Sequence, residues 1–245
     1  MIRTSPYTWL MLLGIGLGVF IWRRKAPRRP GMLTIYFSAL AGAFLGAKVV
    51  YLLAEGWLFW NSPDRWMYLL TGKSILGALL GGYAGVEWAK SYVGYKSPTG
   101  DWFATVTPLS IIIGRMGCLL HGCCLGVRCD PAWYTMLDRH GVARWPAVPA
   151  EILFNLLAIA VFHTLRRKHL LPGQHFHLYL IGYGVFRFVH EFWRDTPELF
   201  GLGTGYQLAS ITVIALGVIR YRQRSRATCE PQTTPSFKAA GTQPR

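Results

Sequence analysis

Long apolar segments alternate with short polar and basic segments along the chain. A helix needs about twenty apolar residues to cross a bilayer, or somewhat fewer where aromatic residues anchor its ends. Segments of this kind lie at residues 7–22, 32–53, 69–88, 101–120, 147–165, 175–193 and 206–221. The pattern predicts an all-α integral membrane protein with seven transmembrane helices.

The first segment is short enough to resemble the apolar core of a signal peptide. No small-residue cleavage site follows it, and the next residues read "WRRKAPRRP". We therefore expect an uncleaved first helix and one transmembrane domain over residues 1–226. The polar remainder, residues 227–245, is predicted to be a disordered tail.

Composition supports this fold class. Hydrophobic residues make up 52% of the 245 residues, charged residues only 15%, and the mean hydropathy is +0.27. These values are typical of a polytopic membrane protein and exclude an ordinary soluble domain.

The net charge of +15 reflects the orientation of the protein in the membrane rather than nucleic-acid binding, because the basic residues are unevenly distributed between the two sides. With the N-terminus outside, sixteen of the 26 Lys and Arg residues fall in inner loops and the tail, and only six fall outside. Basic residues accumulate on the cytoplasmic side of membrane proteins, where they contact anionic lipid heads. We expect the N-terminus outside, the C-terminus and its tail in the cytoplasm, and no nucleic-acid partner.

Four cations fall inside predicted spans, in the outer half of the bilayer: Lys48, Lys73, Arg115 and Arg187. Charges at such depth are costly and usually functional. Glu191 lies one helical turn from Arg187 and is its expected partner, and Glu151 begins the fifth span. Two acids do not neutralise four cations, so an anionic ligand is expected. The simplest such ligand is a phospholipid, whose phosphate arginine can hold bidentately. The alternative is snorkelling to water, especially for the lysines.

The sixth span carries a polar stripe on one face, formed by Tyr183, Arg187, Glu191 and Arg194. Such a stripe must face the bundle interior or water. Glycines at four-residue spacing in the second and third spans predict close helix packing; they are Gly42, Gly46, Gly77, Gly81 and Gly85.

Four cysteines and His121 cluster where the fourth span ends; the cysteines are Cys118, Cys123, Cys124 and Cys129. Their spacing matches no recognised zinc pattern, so no metal is expected. A disulfide is compatible with an oxidising outer compartment. A catalytic thiol activated by Arg115 or His121 is the third possibility.

From about residue 23 to 221 the sequence resembles the bacterial prolipoprotein diacylglyceryl transferases. "GRMGCLLHGCCLG" follows the family's "GRxGNFxNxExxG"-like signature, and "RWPAVPAE" resembles "RHPxQLYE" through Arg144 and Glu151. "GYGVFRFVHEFWR" contains the whole of "GYGxFRxxxEFxR". "LGAKVVYLL" resembles "LGGRIGYVL", which places Lys48 at a family arginine and Tyr51 at a family tyrosine.

The resemblance implies transfer of a diacylglyceryl group from phosphatidylglycerol to the lipobox cysteine thiol of a preprolipoprotein. It also implies a multi-pass protein of the bacterial plasma (inner) membrane that needs no metal or soluble cofactor. Arg115 and Arg187 match family arginines and would stabilise the departing phosphate, with Glu191 beside them. The expected substrate-binding residues are Lys48, Tyr51, Lys73, Tyr183, Arg144, Glu151 and Arg194.

The sequence departs from the family at positions that matter for proton transfer. Leu76 stands where the family has a histidine, and Cys118, His121 and Cys123 replace two asparagines and a glutamate. His121 is the candidate general base. The alternatives are a related membrane enzyme with a different lipid or acceptor, and a non-enzymatic phospholipid-binding or transport protein.

Overall fold

The computed structural model describes residues 31–95, 99–199, 201 and 203–229, together with positions 14, 16, 19 and 20. The first predicted span, 7–22, lies outside the described residues apart from those four helical positions. Residues 230–245, which form most of the predicted tail, also lie outside them.

The described chain is almost entirely helical. Its helices are α1 (Met32–Ala54), α2 (Arg65–Thr71), α3 (Ile75–Val93), α4 (Gly100–His121), α5 (Ala147–Arg167), α6 (His175–His190) and α7 (Gly205–Cys229). Short 3-10 turns follow α1 and α6, at Gly56–Phe59 and Glu191–Trp193. Helix α7 extends beyond the predicted domain boundary at residue 226.

Several helices have the length and apolarity of membrane spans. Among the described residues, α1, α4 and α5 each qualify alone, and α2 with α3 qualifies as a bent pair. Large apolar side chains such as Phe37, Leu45 and Leu53 on α1 are exposed, as expected of surfaces that face lipid. The protein is therefore a helical, multi-pass membrane protein.

The third predicted span, 69–88, is wrong as a single helix. Helices α2 and α3 meet at an angle of 53° across Gly72–Ser74. Gly72 is extended at the end of α2, and the Ser74 hydroxyl accepts a hydrogen bond from the Gly77 amide at 3.3 Å. Ser74 is thus an N-cap that starts a new helix.

Helices α1 and α3 cross closely at the glycines that the sequence indicated. A Cβ atom on Gly46 would overlap the carbonyl oxygen of Gly77, and one on Gly81 would overlap that of Gly42. The backbones touch because no side chain separates them, which confirms the predicted helix packing.

The main core joins α3, α4, α5, α6 and α7 through buried residues that include Leu76, Ala104, Phe162, Leu180 and Val213. A longer segment connects α4 to α5. It contains a two-stranded antiparallel sheet, β1 (Met136–Leu137) and β2 (Ala143–Arg144), in which Met136 faces Arg144 and Leu137 faces Ala143. The same segment pairs with the chain after α6, since the Val127 amide donates to the Trp193 carbonyl at 3.0 Å.

Candidate active site

Three helices bring two arginines onto one buried carboxylate. Arg115 of α4 lies 2.6 Å from the Oε2 atom of Glu151 on α5, measured from Nη2. Arg187 of α6 approaches the same oxygen with Nη1 at 3.9 Å. Glu151 has no exposed surface, and both arginines are buried. A carboxylate can be held in such a place only when cations or hydrogen bonds compensate its lost hydration.

A second carboxylate extends the cluster. Glu191 Oε2 lies 2.9 Å from Arg187 Nη2, which confirms the pair expected from their i,i+4 spacing. Arg194 contributes a third guanidinium, with Nε 3.7 Å from the same oxygen. Thr196 donates its hydroxyl to Glu191 Oε1 at 2.8 Å.

The cluster carries more positive than negative charge. Three arginines face two carboxylates, and several guanidinium nitrogens remain without a hydrogen-bond partner within the described residues. These buried donors are Arg115 Nε, Arg187 Nε and Nη1, and Arg194 Nε and Nη1. Buried donors are normally paired. An anion with several acceptor oxygens would satisfy them.

Two tyrosines on α6 donate hydrogen bonds to side chains of α5, the helix that carries Glu151. Tyr183 donates to Glu151 Oε1 at 2.7 Å, and Tyr179 donates to Asn155 Oδ1 at 2.8 Å. All four residues are fully or almost fully buried. Tyr183 therefore positions Glu151 and does not line the cavity described next.

A cavity of about 1710 Å³ opens beside the arginines. Arg115, Arg187 and Arg194 line one part of it. Small and apolar residues of α1 and α3 line its middle, among them Ala39, Ala43, Ala47, Ala78 and Gly82. Sites for drug-sized ligands have volumes of about 300–1,000 Å³. This larger space, with its apolar middle, suits an amphiphile with long chains; a second charged group, formed by Glu87, Lys90, Arg220 and Arg224, also lines it.

The two lysines expected at the site have different surroundings. Lys73 lines the cavity, as does Tyr51, whose ring packs over the position a Gly72 side chain would occupy. Lys48 donates to the carbonyl oxygen of Leu69 at 2.8 Å and also to that of Leu70. Lys48 therefore satisfies the last carbonyls of α2, in keeping with a cation at a helix C-terminus.

Arg144 joins the segment after α4 to the segment after α6. Its guanidinium lies 2.8 Å from Asp138 and 2.8 Å from Asp195, and it donates to the Gly126 carbonyl at 3.2 Å. The hydrogen bond from Arg144, together with two backbone amides, lowers the pKa of Asp138 to about 2. In this arrangement Arg144 has acidic partners and lies outside the cavity lining.

The cysteines and His121 surround the end of α4. His121 is the last helical residue; its side chain is exposed and lines the cavity. Arg139 donates to its backbone carbonyl. Cys118, Cys123 and Cys124 also line the cavity, and these three and Cys129 are free thiols. Leu76, at the family's histidine position, is buried in the apolar core.

Some supporting residues were absent from the sequence-based set. Asn155 lies four residues after Glu151, and Tyr179 lies four residues before Tyr183, so helical spacing alone could have indicated both. Asp138 and Asp195 carried no such signal, because they meet Arg144 only through loop conformation.

Comparison with known proteins agrees with this geometry. The profile of the family described as prolipoprotein diacylglyceryl transferase matches residues 2–222. The phosphatidylglycerol–prolipoprotein diacylglyceryl transferase of Proteus mirabilis is 26% identical, over 93% of this chain and 91% of its own. That of Mannheimia succiniciproducens is 30% identical over 78% and 76%, and that of Geobacter sulfurreducens 29% over 86% and 87%. The chain therefore belongs to the prolipoprotein diacylglyceryl transferase family.

Proposed function

We propose that this protein transfers a diacylglyceryl group from phosphatidylglycerol to the lipobox cysteine of a preprolipoprotein. The names of its relatives state the lipid donor and the prolipoprotein acceptor. One observation carries the proposal to this chain: the buried Arg115 and Arg187 and the half-buried Arg194 have unsatisfied donors and line a large cavity.

The arginines would act on the leaving group. In the transfer, the acceptor thiolate forms a bond to the glyceryl carbon while the bond from that carbon to the phosphate oxygen breaks. The electron pair of the broken bond stays with glycerol phosphate. Arg115, Arg187 and Arg194 face the place where this charge develops, and preorganised donors there stabilise the transition state more than the ground state.

Glu151 and Glu191 fix the orientation of the arginines. Without them, three guanidinium groups would repel one another, and their side chains would adopt other rotamers. Because each carboxylate contacts at least two arginines, the cluster keeps a net charge of one while holding its geometry. Ion pairs of this kind are strongly coupled, so loss of one carboxylate would affect every arginine.

His121 would receive the thiol proton. His121 lines the cavity near the end of α4. Leu76, at the family's histidine position, has an apolar side chain that cannot accept a proton. Histidine changes charge between pH 5 and 8, which suits proton acceptance near neutrality.

In the membrane, we propose seven spans with the N-terminus outside and the C-terminus in the cytoplasm. The excess of basic residues in the predicted inner loops supports this orientation. The arginine cluster would then lie at the outer leaflet of the bacterial plasma membrane, where a secreted acceptor arrives.

A related enzyme with another lipid or acceptor is the second candidate. The residues that favour it are Leu76, Cys118, His121 and Cys123, which stand where the family pattern has a histidine, two asparagines and a glutamate. Cys118, His121 and Cys123 line the cavity, and Cys118 Sγ lies 3.9 Å from Arg115 Nη1.

The test uses the full chain in vesicles that contain phosphatidylglycerol, with a synthetic lipobox peptide as acceptor. Lipidated peptide is measured by mass, and released glycerol phosphate by an enzymatic assay. We expect Arg115→Gln and Arg187→Gln each to lower transfer at least about 100-fold, as loss of one transition-state donor typically does. Arg167→Gln, at the exposed far end of α5, is the control and should transfer normally.

Different outcomes separate the candidates. Glycerol phosphate release without a lipidated peptide would indicate another acceptor, and lipid movement with neither product would indicate a transport protein. Full transfer by either cluster variant would contradict the assigned role of the arginines.

A further inference from the structure

Three thiols converge where α4 ends. Two consecutive amides, those of Gly122 and Cys123, donate back to carbonyls of the last helical turn, and Gly122 adopts the left-handed conformation at φ +65°. Cys124 is also left-handed at φ +60°, which is uncommon for a residue with a side chain. These two reversals fold the chain so that Cys123 and Cys124 lie against Cys118 of α4.

The sulfur positions fit a metal site. The Cys124 Sγ atom lies 3.9 Å from Cys118 Sγ and 3.9 Å from Cys123 Sγ, and all three atoms lie within 4.8 Å of one another. Zinc–thiolate bonds of about 2.3 Å at tetrahedral angles place sulfur atoms about 3.8 Å apart. A disulfide requires about 2.05 Å. Two of the three sulfur pairs therefore stand at about the separation that a shared ion requires, and the third pair lies within 4.8 Å.

We propose that Cys118, Cys123 and Cys124 bind a zinc ion as three thiolates, and that the fourth coordination position opens into the cavity and takes the thiol of an incoming cysteine. Zinc sites with three protein ligands and one open position are those that bind and activate a further ligand. The assignment of the fourth ligand rests on the proposed function; the metal site itself does not.

The charge of the surroundings favours such an ion. Each of the three thiols loses its proton to solvent when it binds the metal. Three thiolates and one Zn²⁺ sum to a single negative charge. Arg115 Nη1 lies 3.9 Å from Cys118 Sγ, and the arginine cluster behind it carries one positive charge in excess. The excess positive charge of the arginine cluster would therefore offset the negative charge of the metal centre while the acceptor thiol is absent.

The open position faces the place where an acceptor thiol is needed. Cys118, Cys123 and Cys124 line the same cavity as Arg115, Arg187 and His121. A thiol that binds zinc does so as a thiolate. The incoming cysteine would displace water from the ion, and its proton would pass to His121 or to solvent. Zinc binding would thus supply the deprotonated nucleophile in a chain that has Leu76 in place of the family's histidine.

Spacing along the sequence could not reveal this site. Ligand pairs in familiar zinc sites are separated by two to four residues. Cys118 and Cys123 fit this range with four residues between them, but Cys124 follows directly, and adjacent ligands do not belong to those patterns. The left-handed turn at Gly122 replaces the usual ligand loop. The arrangement became visible only with the fold.

The first experiment measures metal binding by the full chain, which is purified in detergent with a reductant. The readout is the bound metal, not enzymatic activity. Zinc content is determined after dialysis against micromolar zinc, and Co²⁺ is titrated as a spectroscopic probe. We expect about one zinc per chain and the sulfur-to-cobalt charge-transfer bands of thiolate ligation. Cys124→Ser should lose these bands, whereas Cys129→Ser, in the same segment but outside the three-thiol group, should keep them.

Two results would overturn the metal site: no cobalt bands from the reduced, unaltered protein, or full zinc content in a protein with all three cysteines changed to serine. The first needs no variant, so a folding defect cannot explain it. A disulfide among the three cysteines, found by mass spectrometry after thiols are blocked in intact cells, would also count against it.

The second experiment tests the open position. A lipobox peptide is added to the cobalt-loaded protein, with the same peptide carrying serine in place of cysteine as control. We expect the charge-transfer bands to grow only with the cysteine peptide. Equal spectra with both peptides would refute thiol binding at the metal. Failure of diacylglyceryl transfer with intact cobalt bands would count against the proposed function alone.

Discussion

Among single residues, Glu151 makes the contacts that hold the site together. It contacts Arg115, Arg187 and the Tyr183 hydroxyl, and it has no exposed surface. Removing one partner of such a buried pair typically costs about 3–5 kcal/mol, because the other charge is left uncompensated. We infer that Glu151 sets the positions of both arginines more than it meets substrate.

Tyr183→Phe tests this positioning role. Tyr183 and Tyr179 each donate one buried hydrogen bond from the same helix, but only Tyr183 reaches Glu151. We expect Tyr179→Phe to lose about 1 kcal/mol of stability, the usual value of one neutral hydrogen bond, and Tyr183→Phe about 1.5–3 kcal/mol, because its hydroxyl donates to a carboxylate. Only Tyr183→Phe should also slow transfer, roughly tenfold, as the arginines shift. Thermal unfolding and kcat/KM measured side by side would decide, and equal kinetic losses in both variants would contradict the role.

Ion-pair partners could be predicted from the sequence where both residues lie within one predicted span. The pair Arg187–Glu191 follows from i,i+4 spacing and is present at 2.9 Å. The partners of Arg115 and Lys48 could not be obtained in this way. Glu151 lies on another helix, and the carbonyls that Lys48 contacts exist only because α2 ends at Thr71.

At the scale of helices, the crossing of α1 and α3 depends on the absence of side chains. Gly81→Ala should force the two backbones apart, because its Cβ would meet the Gly42 carbonyl and the Gly46 Cα. Overpacking of this kind costs about 1–3 kcal/mol. Gly82→Ala is the matched control, since its Cβ would make only ordinary contact with Ala43 at 3.4 Å. Detergent unfolding curves should shift for Gly81→Ala alone; a similar shift for both would mean that helix propensity, not contact, dominates.

The segment between α4 and α5 should loosen in acid. The pKa of Asp138 is lowered to about 2, chiefly by Arg144, against about 3.9 for an ordinary aspartate. A depressed carboxylate pKa stabilises the fold above pH 4, and that stabilisation disappears as pH falls from about 4 to 2. Asp138→Asn should therefore unfold at a lower temperature than the parent at pH 6, and the two should converge near pH 2.

Asp130→Asn is the control for this experiment. Asp130 is exposed in the same segment, so its replacement should leave the unfolding temperature unchanged at every pH. A difference between Asp138→Asn and the parent that persists undiminished at pH 2 would show that the carboxylate charge is not its source.

Most helices could be predicted from hydrophobic segments, but their interruptions could not. Residues 69–88 have the apolarity of one span, and the chain nevertheless breaks at Gly72–Ser74. Gly72 and the capping hydroxyl of Ser74 are local signals. The apolar pattern of residues 69–88 nevertheless predicts a single span, because hydropathy reports how well a segment suits lipid and does not report whether its helix is continuous.

The whole molecule combines a charged cluster and a group of three thiols with a long cavity that is lined by residues from both ends of α4. Sequence could indicate the excess of positive charge and the need for an anionic partner, since both depend on counting residues. It could not indicate the cavity, which arises from small residues of α1 and α3 facing α4, α6 and α7. Shape of this kind depends on how all the helices pack.

Orientation in the membrane is the prediction that belongs to the whole chain, and two native cysteines report on it. With the C-terminus in the cytoplasm, Cys229 at the end of α7 is inside, whereas Cys129 follows α4 on the outer side. Intact spheroplasts are treated with a membrane-impermeant maleimide, and peptides of the unaltered chain are then identified by mass. We expect label on Cys129 but not on Cys229 until the cells are lysed. Label on Cys229 in intact spheroplasts, with Cys129 protected, would reverse the topology and place the arginine cluster at the cytoplasmic leaflet, away from any secreted acceptor.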